Sequence, residues 1–250
     1  MNRILRYTPW AVLPLALLMP LNAQNKKNAK DEGISRQQAD EILNELRQIR
    51  QLLEKQGEKG GPAAPTRAKL NLDGLPMLGR KDAPITVVEF TDYQCTFCRQ
   101  FHMTVFNDLK KNLIDTGKVR FYSRDLPLDS IHPDAFRAGQ AARCAGDQGQ
   151  FWTMRDVMVT NPSKLDLESL LADAADLKMN VDAFRTCVQS QKYKEAVQTD
   201  VLDAMKIGAE ATPTFVIGKS TPQGVEGELL VGAQPYTEFL KAFSKLDAAK

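Results

Sequence analysis

Two cysteines with two residues between them, Cys95-Thr96-Phe97-Cys98, stand at a junction. Before them lies an apolar run, Ile85-Thr86-Val87-Val88-Glu89-Phe90, and after them a helix-forming stretch, Arg99-Gln100-Phe101-His102. This C-x-x-C pair constrains the fold more than any other feature of the 250-residue chain, because the backbone there has to serve a dithiol and a disulfide without rearranging. The helix start also favours the thiolate, the reactive form, through its unpaired N–H groups and its dipole. Much further on, Ala211-Thr212-Pro213-Thr214-Phe215 opens a second apolar strand. A redox pair together with a proline-initiated strand is what thiol–disulfide exchange requires.

Charge narrows the field further. The formal +2 comes from Arg3 and Arg6, both within the first 23 residues, which hold no acid; the remainder carries 31 basic and 31 acidic residues. A neutral balance argues against a nucleic-acid partner, whose phosphates call for a basic face. Residues 1–23 read as a secretory signal peptide: a positive start, an apolar core from Trp10 to Leu21, and a small-residue exit at Leu21-Asn22-Ala23. That core is shorter than the roughly 20 residues of a membrane span, so a cleaved leader is expected, with a retained anchor as the alternative. Export, to a periplasmic or other exported location, suits four cysteines, an even count, because disulfides persist only in an oxidising compartment.

Residues 24–33 are polar and lysine-rich, the composition of a disordered segment. Ser35-Arg36-Gln37-Gln38 then has the form of a capping box. It announces an amphipathic helix over 34–56, in which Ala39, Ile42, Leu46, Ile49 and Leu53 recur at alternating steps of three and four, a heptad seam. Residues 57–68, rich in Gly, Pro and Ala, read as a linker, and 69–250 as the globular domain. Within it strands are expected at 85–91, 118–123, 214–217 and 228–231, with a helix at 98–115 and a closing helix at 236–246. A helical insertion spans about 133–207, broken at 146–150, 161–162 and 178–180. Strand–helix–strand, a helical insertion, then two strands and a helix is an α/β layout of the thioredoxin-like kind.

The spacing assigns roles to the pair. Cys95, just before the helix, is the nucleophile; Cys98, one turn inside, reaches back and resolves the mixed disulfide. Two other readings of the same residues stand beside this one. One is an inert structural bridge; the other is a copper- or zinc-handling site in which His102, four residues after Cys98 on one helical face, joins both thiols. A closed zinc site needs four ligands, and no further Cys or His is obviously placed to be the fourth. Strand alternation sets Val88 and Phe90 on one face and Glu89, with Val87, on the other. If both faces are covered, Glu89 is a buried carboxylate with a raised pKa and a proton acceptor for a nearby thiol; on a strand edge it is an ordinary surface acid.

The stretch from Glu89 to His102, together with Ala211-Thr212-Pro213-Thr214-Phe215-Val216-Ile217-Gly218, resembles the DsbA-like thiol:disulfide oxidoreductases, thioredoxin-fold proteins with an inserted helical domain. The resemblance covers about residues 70–246, including 79–84 and Val231-Gly232-Ala233-Gln234-Pro235. It implies an exposed nucleophile at Cys95, a buried partner at Cys98, and a cis Thr212–Pro213 bond stacked against the pair and binding substrate backbone. It also implies a buried acid at Glu89, six residues before the first cysteine. For Cys144 and Cys187, both in the insertion, it implies a second, non-catalytic bridge, against the alternative of two separate buried thiols. The chain departs from many relatives in carrying Thr96 where they have Pro and Ala211 where they have Gly. Residues between the cysteines tune thiolate stability, so these departures bear on the reduction potential.

The expected activity is therefore an exported thiol:disulfide oxidoreductase that forms or reshuffles disulfides in folding or misfolded exported proteins, with no bound cofactor and a membrane redox partner. The alternative within the same chemistry is an oligomeric isomerase or reductase. Leu46 and Leu53 at a-like positions, with Ile42 and Ile49 at d-like ones, lean toward three or four strands rather than a parallel dimer, so a homo-oligomer through 34–56 is one expectation and docking on the chain's own domain the other.

Overall fold

A computed structural model describes residues 35–58 and 67–248. The signal reading (1–23), the disorder reading (24–33) and most of the linker reading fall outside the described residues. The chain divides into two units, residues 1–61 and 62–250, each described by itself.

In the first unit, α1 (Arg36–Glu58) begins with the reciprocal bonds of a capping box. The amide of Gln38 donates to Ser35 Oγ at 3.2 Å, and the amide of Ser35 donates to Gln38 Oε1 at 3.0 Å. Ile42, Leu43, Leu46 and Ile49 stay about half exposed, at 46–55%.

The second unit is built on a six-stranded mixed sheet in the order β1-β6-β5-β3-β4-β2. In chain order the strands are β1 (Arg67–Asn71), β2 (Met77–Leu78), β3 (Ile85–Thr91), β4 (Val119–Asp125), β5 (Thr214–Thr221) and β6 (Gly224–Val231). β3 lies at the centre, parallel to β4 and antiparallel to β5, with Glu89 facing Ser123 on one side and Phe215 on the other. Alternation sorts the side chains. Val88, Phe90, Tyr122 and Val216 join one core with Leu70 and Val225. Val87, Phe121, Phe215 and Ile217 join the opposite core. Each such residue contributes about 1.5–3 kcal/mol on burial.

The second core is covered by one long helical stretch and by α9 (Tyr236–Ala248). The stretch starts as α2 (Thr96–Phe101), passes through a π-type turn at His102–Phe106, continues as α3 (Asn107–Leu109) and ends in a second π-type turn at Lys110–Ile114. Phe101 packs against Phe215 and Phe239 at ring distances of 4.6 and 5.7 Å, which seats the start of this helix on the sheet. Between β4 and β5 lie α4 (Ala135–Gly146), α5 (Phe151–Thr160), α6 (Leu167–Asp176), α7 (Val181–Gln189) and α8 (Lys194–Lys206). Small residues Ala138, Ala141, Ala142 and Ala145 let α4 pack closely with Met154, Met158 and Phe184.

Buried ion pairs fasten the insertion to the sheet. Arg124 on β4 donates to Asp200 at 2.6 Å and Asp203 at 2.7 Å on α8, while Arg143 on α4 donates to Asp125 at 2.7 Å and also pairs with Asp200. Gly139 makes room for this, since a Cβ there would lie 2.9 Å from Asp125 Oδ1.

β5 and β6 each run four residues beyond the expected strands, and three further differences have physical reasons. β1 takes in Arg67 and Ala68, read as linker, because its partner is the distant β6 (Leu70 opposite Val225). β2 was not anticipated; two residues pairing with β4 give no periodic signal. The insertion has a further break at 190–193, between α7 and α8, where Gln191 takes φ +54° without any Gly or Pro to mark it.

Candidate active site

Cys95 is the N-cap residue of α2, with extended backbone (φ −71°, ψ 123°). Its own amide donates to the Asp92 carbonyl at 3.1 Å, which turns the chain from β3 into the helix. Both thiols of the C-x-x-C pair are free. In its protonated form the Cys95 thiol donates to the Thr212 carbonyl at 3.3 Å, and the Thr212–Pro213 bond is cis. Pro213 is held in turn by its carbonyl, which accepts from Gly232 N–H at 2.7 Å.

The electrostatics separate the two sulfurs. Cys95 is lowered from 9.0 to about 5, first because the Cys98 thiol donates to it, then through the side chain of Thr212 and the backbone N–H groups of Cys98 and Phe97, which together outweigh burial. Cys98 moves the opposite way. Burial pushes it up, the bond it gives to Cys95 holds its proton, and the charges of Glu89 and Cys95 add to that. The Asp92 amide, donating to Cys98 Sγ at 3.5 Å, pulls in the other direction. One thiol is thus an anion at neutral pH while its neighbour keeps a proton to give.

Cys95 is 5% exposed and Cys98 fully buried. The exposed nucleophile implied by the resemblance is therefore corrected: Cys95 lies tucked under the carbonyl of Thr212, and the exposed members of the motif are Thr96 and Phe97, the latter at 60%.

Glu89 is fully buried on the central strand, which rules out the surface reading. Its Oε2 accepts from Arg155 Nη2 at 2.5 Å, while Oε1 has no hydrogen-bond partner. Burial raises its pKa against the opposing pull of Arg155 and the Thr91 hydroxyl. A half-satisfied carboxylate of this kind can take a proton.

Arg155, absent from the sequence reading, is the second charge at the site. It is 1% exposed, reaches from α5 to Glu89, and stands 4.8 Å from the Phe106 ring and 5.6 Å from the Trp152 ring. A signal for it existed. Phe151, Met154, Arg155 and Met158 occupy the i, i+3, i+4, i+7 stripe of α5, so an arginine sits on a buried face.

His102 does not join the cysteines. The π-type turn buries it, stacked on Phe106 at 5.3 Å, with its Nδ1 3.1 Å from Arg155 Nη1. Burial and the Arg155 charge lower it to about 4, so it stays neutral, its Nδ1 accepting from the guanidinium. Among the described residues no group of three His, Cys, Asp or Glu side chains is placed to hold a metal ion. Cys144 and Cys187 are joined as a disulfide between α4 and α7, apart from the C-x-x-C pair.

A family profile described as thioredoxin matches residues 72–226. The chain belongs to the thioredoxin family. Its place there is DsbA-like. It is 32% identical over 148 residues to a probable disulfide bond formation protein D of Bacillus anthracis, covering 56% of this chain and 68% of that one. The crystal structure of α-DsbA1 from Wolbachia pipientis superposes with a TM-score of 0.63 at 27% identity, over 71% of this chain and 92% of that chain. The match with a Na(+)/H(+) antiporter NhaA 1 of Salinispora arenicola, 35% identical over 139 residues, spans 56% of this chain but only 21% of that relative's length.

Proposed function

We propose that this chain is an exported thiol:disulfide oxidoreductase acting on folding proteins through a mixed disulfide at Cys95. The observation that carries the reading is the stabilised Cys95 anion at the mouth of α2, beside the cis Thr212–Pro213 bond, with the protonated Cys98 one turn behind it.

In the oxidising direction, a substrate thiolate attacks Cys95 of the Cys95–Cys98 disulfide and the bond between the two cysteines breaks. Cys98 leaves with the electron pair and takes up a proton. A second substrate thiolate then attacks the substrate sulfur of the mixed disulfide, releasing Cys95 as its stable thiolate. Two electrons pass to the protein and the substrate gains one disulfide. In the shuffling direction Cys95 attacks a substrate disulfide and one substrate sulfur leaves as a thiolate. Another substrate thiolate then displaces Cys95 and forms a new substrate disulfide. Cys98, once its proton has gone to Glu89, can instead displace the substrate in reduced form and leave the Cys95–Cys98 disulfide. A leaving thiolate as stable as Cys95 favours donation of the disulfide.

The residues in named roles are Cys95 as nucleophile, Cys98 as resolving thiol, Glu89 as proton acceptor, and Thr212 and Pro213 as the surface for substrate backbone. Cys144–Cys187 serves stability alone. Re-oxidation or reduction falls to a membrane redox partner, and residues 1–23 supply export to the periplasm or an equivalent compartment. Insulin reduction together with refolding of scrambled ribonuclease tests the reading: activity in the parent and none in Cys95→Ser supports it, and equal rates in the two sink it.

A second reading, an oligomeric isomerase or reductase, is favoured by one observation. The α1 face of Ile42, Leu43, Leu46 and Ile49 is exposed within the chain, and an isolated helix of this length is marginal in water. Self-association of 34–56 would bury that face. Light scattering with and without residues 24–67 decides it.

A further inference from the structure

The segment between β4 and α4 carries a histidine that neither the sequence reading nor the exchange mechanism uses. His132 Nδ1 lies 2.8 Å from Asp92 Oδ2. Asp92 is held in place from every side. Its side chain is fully buried, Oδ2 also accepts from Leu128 N–H at 2.8 Å, and Oδ1 accepts from Gln94 N–H at 2.7 Å. Among the described residues His132 is the only side chain that donates to it. A carboxylate accepts, so Nδ1 carries the proton; the His132 side chain is 21% exposed.

The backbone of the same aspartate holds both sulfur-bearing residues. Its N–H donates to Cys98 Sγ at 3.5 Å and its carbonyl accepts from Cys95 N–H at 3.1 Å. Gln94 closes the arrangement from the other side, its Oε1 accepting from Asp134 N–H at 2.7 Å. The turn before the C-x-x-C is thus tied to residues 128–134 by two of its own side chains, and Asp92 is the point where that tie meets the thiols.

We infer that His132 is a positioning residue of the redox centre: by fixing the Asp92 side chain it fixes the Asp92 amide that donates to Cys98 Sγ, and so favours the reduced pair and the departure of the Cys98 proton. The inference rests on the exchange reading and deepens it. A hydrogen bond lost at a sulfur that develops negative charge is worth about a five- to tenfold change in equilibrium or rate.

The test uses the full chain and three variants. In His132→Ala, equilibration with glutathione should move about five- to tenfold toward the oxidised protein, and resolution of a mixed disulfide by Cys98, followed in single turnover, should slow by a similar factor. His132→Asn, whose amide nitrogen can occupy the place of Nδ1, should restore both; His132→Gln, whose amide reaches the place of Nε2, should not. Parental potential and resolution rate in His132→Ala or His132→Gln, or an Asn variant as impaired as the Gln variant, overturns the inference. Should the Ala variant not fold, the Asn and Gln pair decides alone. If the parent itself exchanges no faster than Cys95→Ser, it is the exchange reading that falls, a result distinct from an active parent whose potential ignores residue 132.

Discussion

The molecule contains two pairs of cysteines, and they have been put to opposite uses by their surroundings. Cys144 and Cys187 come from the bodies of two helices, α4 and α7, and are joined across 43 residues. Cys95 and Cys98 are neighbours on one turn, at the end of a helix where N–H groups lack internal partners, and both thiols are free. The first pair closes a long loop and restricts the unfolded chain. The second closes almost nothing, so its bond adds little to stability and is free to be made and broken. Polar groups then finish the distinction. Asp92, Thr212 and Glu89 act on the sulfurs of the short pair, while at the long pair Asp147, 3.7 Å from Cys187, is already engaged by Lys192 and Tyr193.

The sharpest way to break this contrast is to exchange the roles by mutation. Cys95→Ser should abolish insulin reduction, whereas replacing Cys144 and Cys187 together with Ala should leave the exchange rate of the folded protein unchanged. Next in size, Arg155→Met leaves Glu89 as an unpaired buried acid, and should cost about 3–5 kcal/mol in urea denaturation at neutral pH. Glu89 already has a raised pKa, and the variant raises it further, so the cost grows as pH rises through that value and fades in acid, where the carboxyl is protonated. The Cys144/Cys187 double replacement is expected to lose about 4 kcal/mol on the loop-entropy account. A loss below about 1 kcal/mol in the same denaturation assay would contradict the assignment of that bond to stability.

A finer measurement is the pH profile of alkylation. In the reduced protein Cys95 should react with half its maximal rate near pH 5, and Cys98 only in strong alkali. Because the folded Cys95 lies below its ordinary 9.0, its contribution to the stability of the reduced form is complete above that value and disappears as pH falls through about 5. The melting temperature of the reduced protein should therefore drop relative to the oxidised one over that window. The smallest effect is expected from deleting residues 24–67: the molar mass in solution changes, and the Cys95 titration does not.

Local features were legible in the sequence. The central strand, the C-x-x-C turn, the proline opening β5 and the capping box of α1 are each written in a few adjacent residues; alternation on β3 set the face of Glu89, and its burial was decided by the strands on either side. What could not be read depends on distant partners. β1, Arg-Ala-Lys-Leu-Asn, has two apolar residues among polar ones and becomes a strand only beside β6. The break before α8 has no glycine or proline. Arg155 was visible as an arginine on an apolar stripe, but the acid it meets is 66 residues away. His132 and Asp92 are 40 residues apart, in segments with no shared periodicity. The modest opening at Cys95 likewise arises from a loop more than a hundred residues downstream.

The guanidinium that answers Glu89 comes from α5, inside the inserted helices, not from the sheet that carries the acid. Insert and scaffold are consequently one electrostatic unit. Trimming the chain to its strands and their covering helices, or transplanting the C-x-x-C and its upstream acid onto a smaller relative, would strand a negative charge in the apolar interior. A minimised version has to bring its own cation, or give up the glutamate.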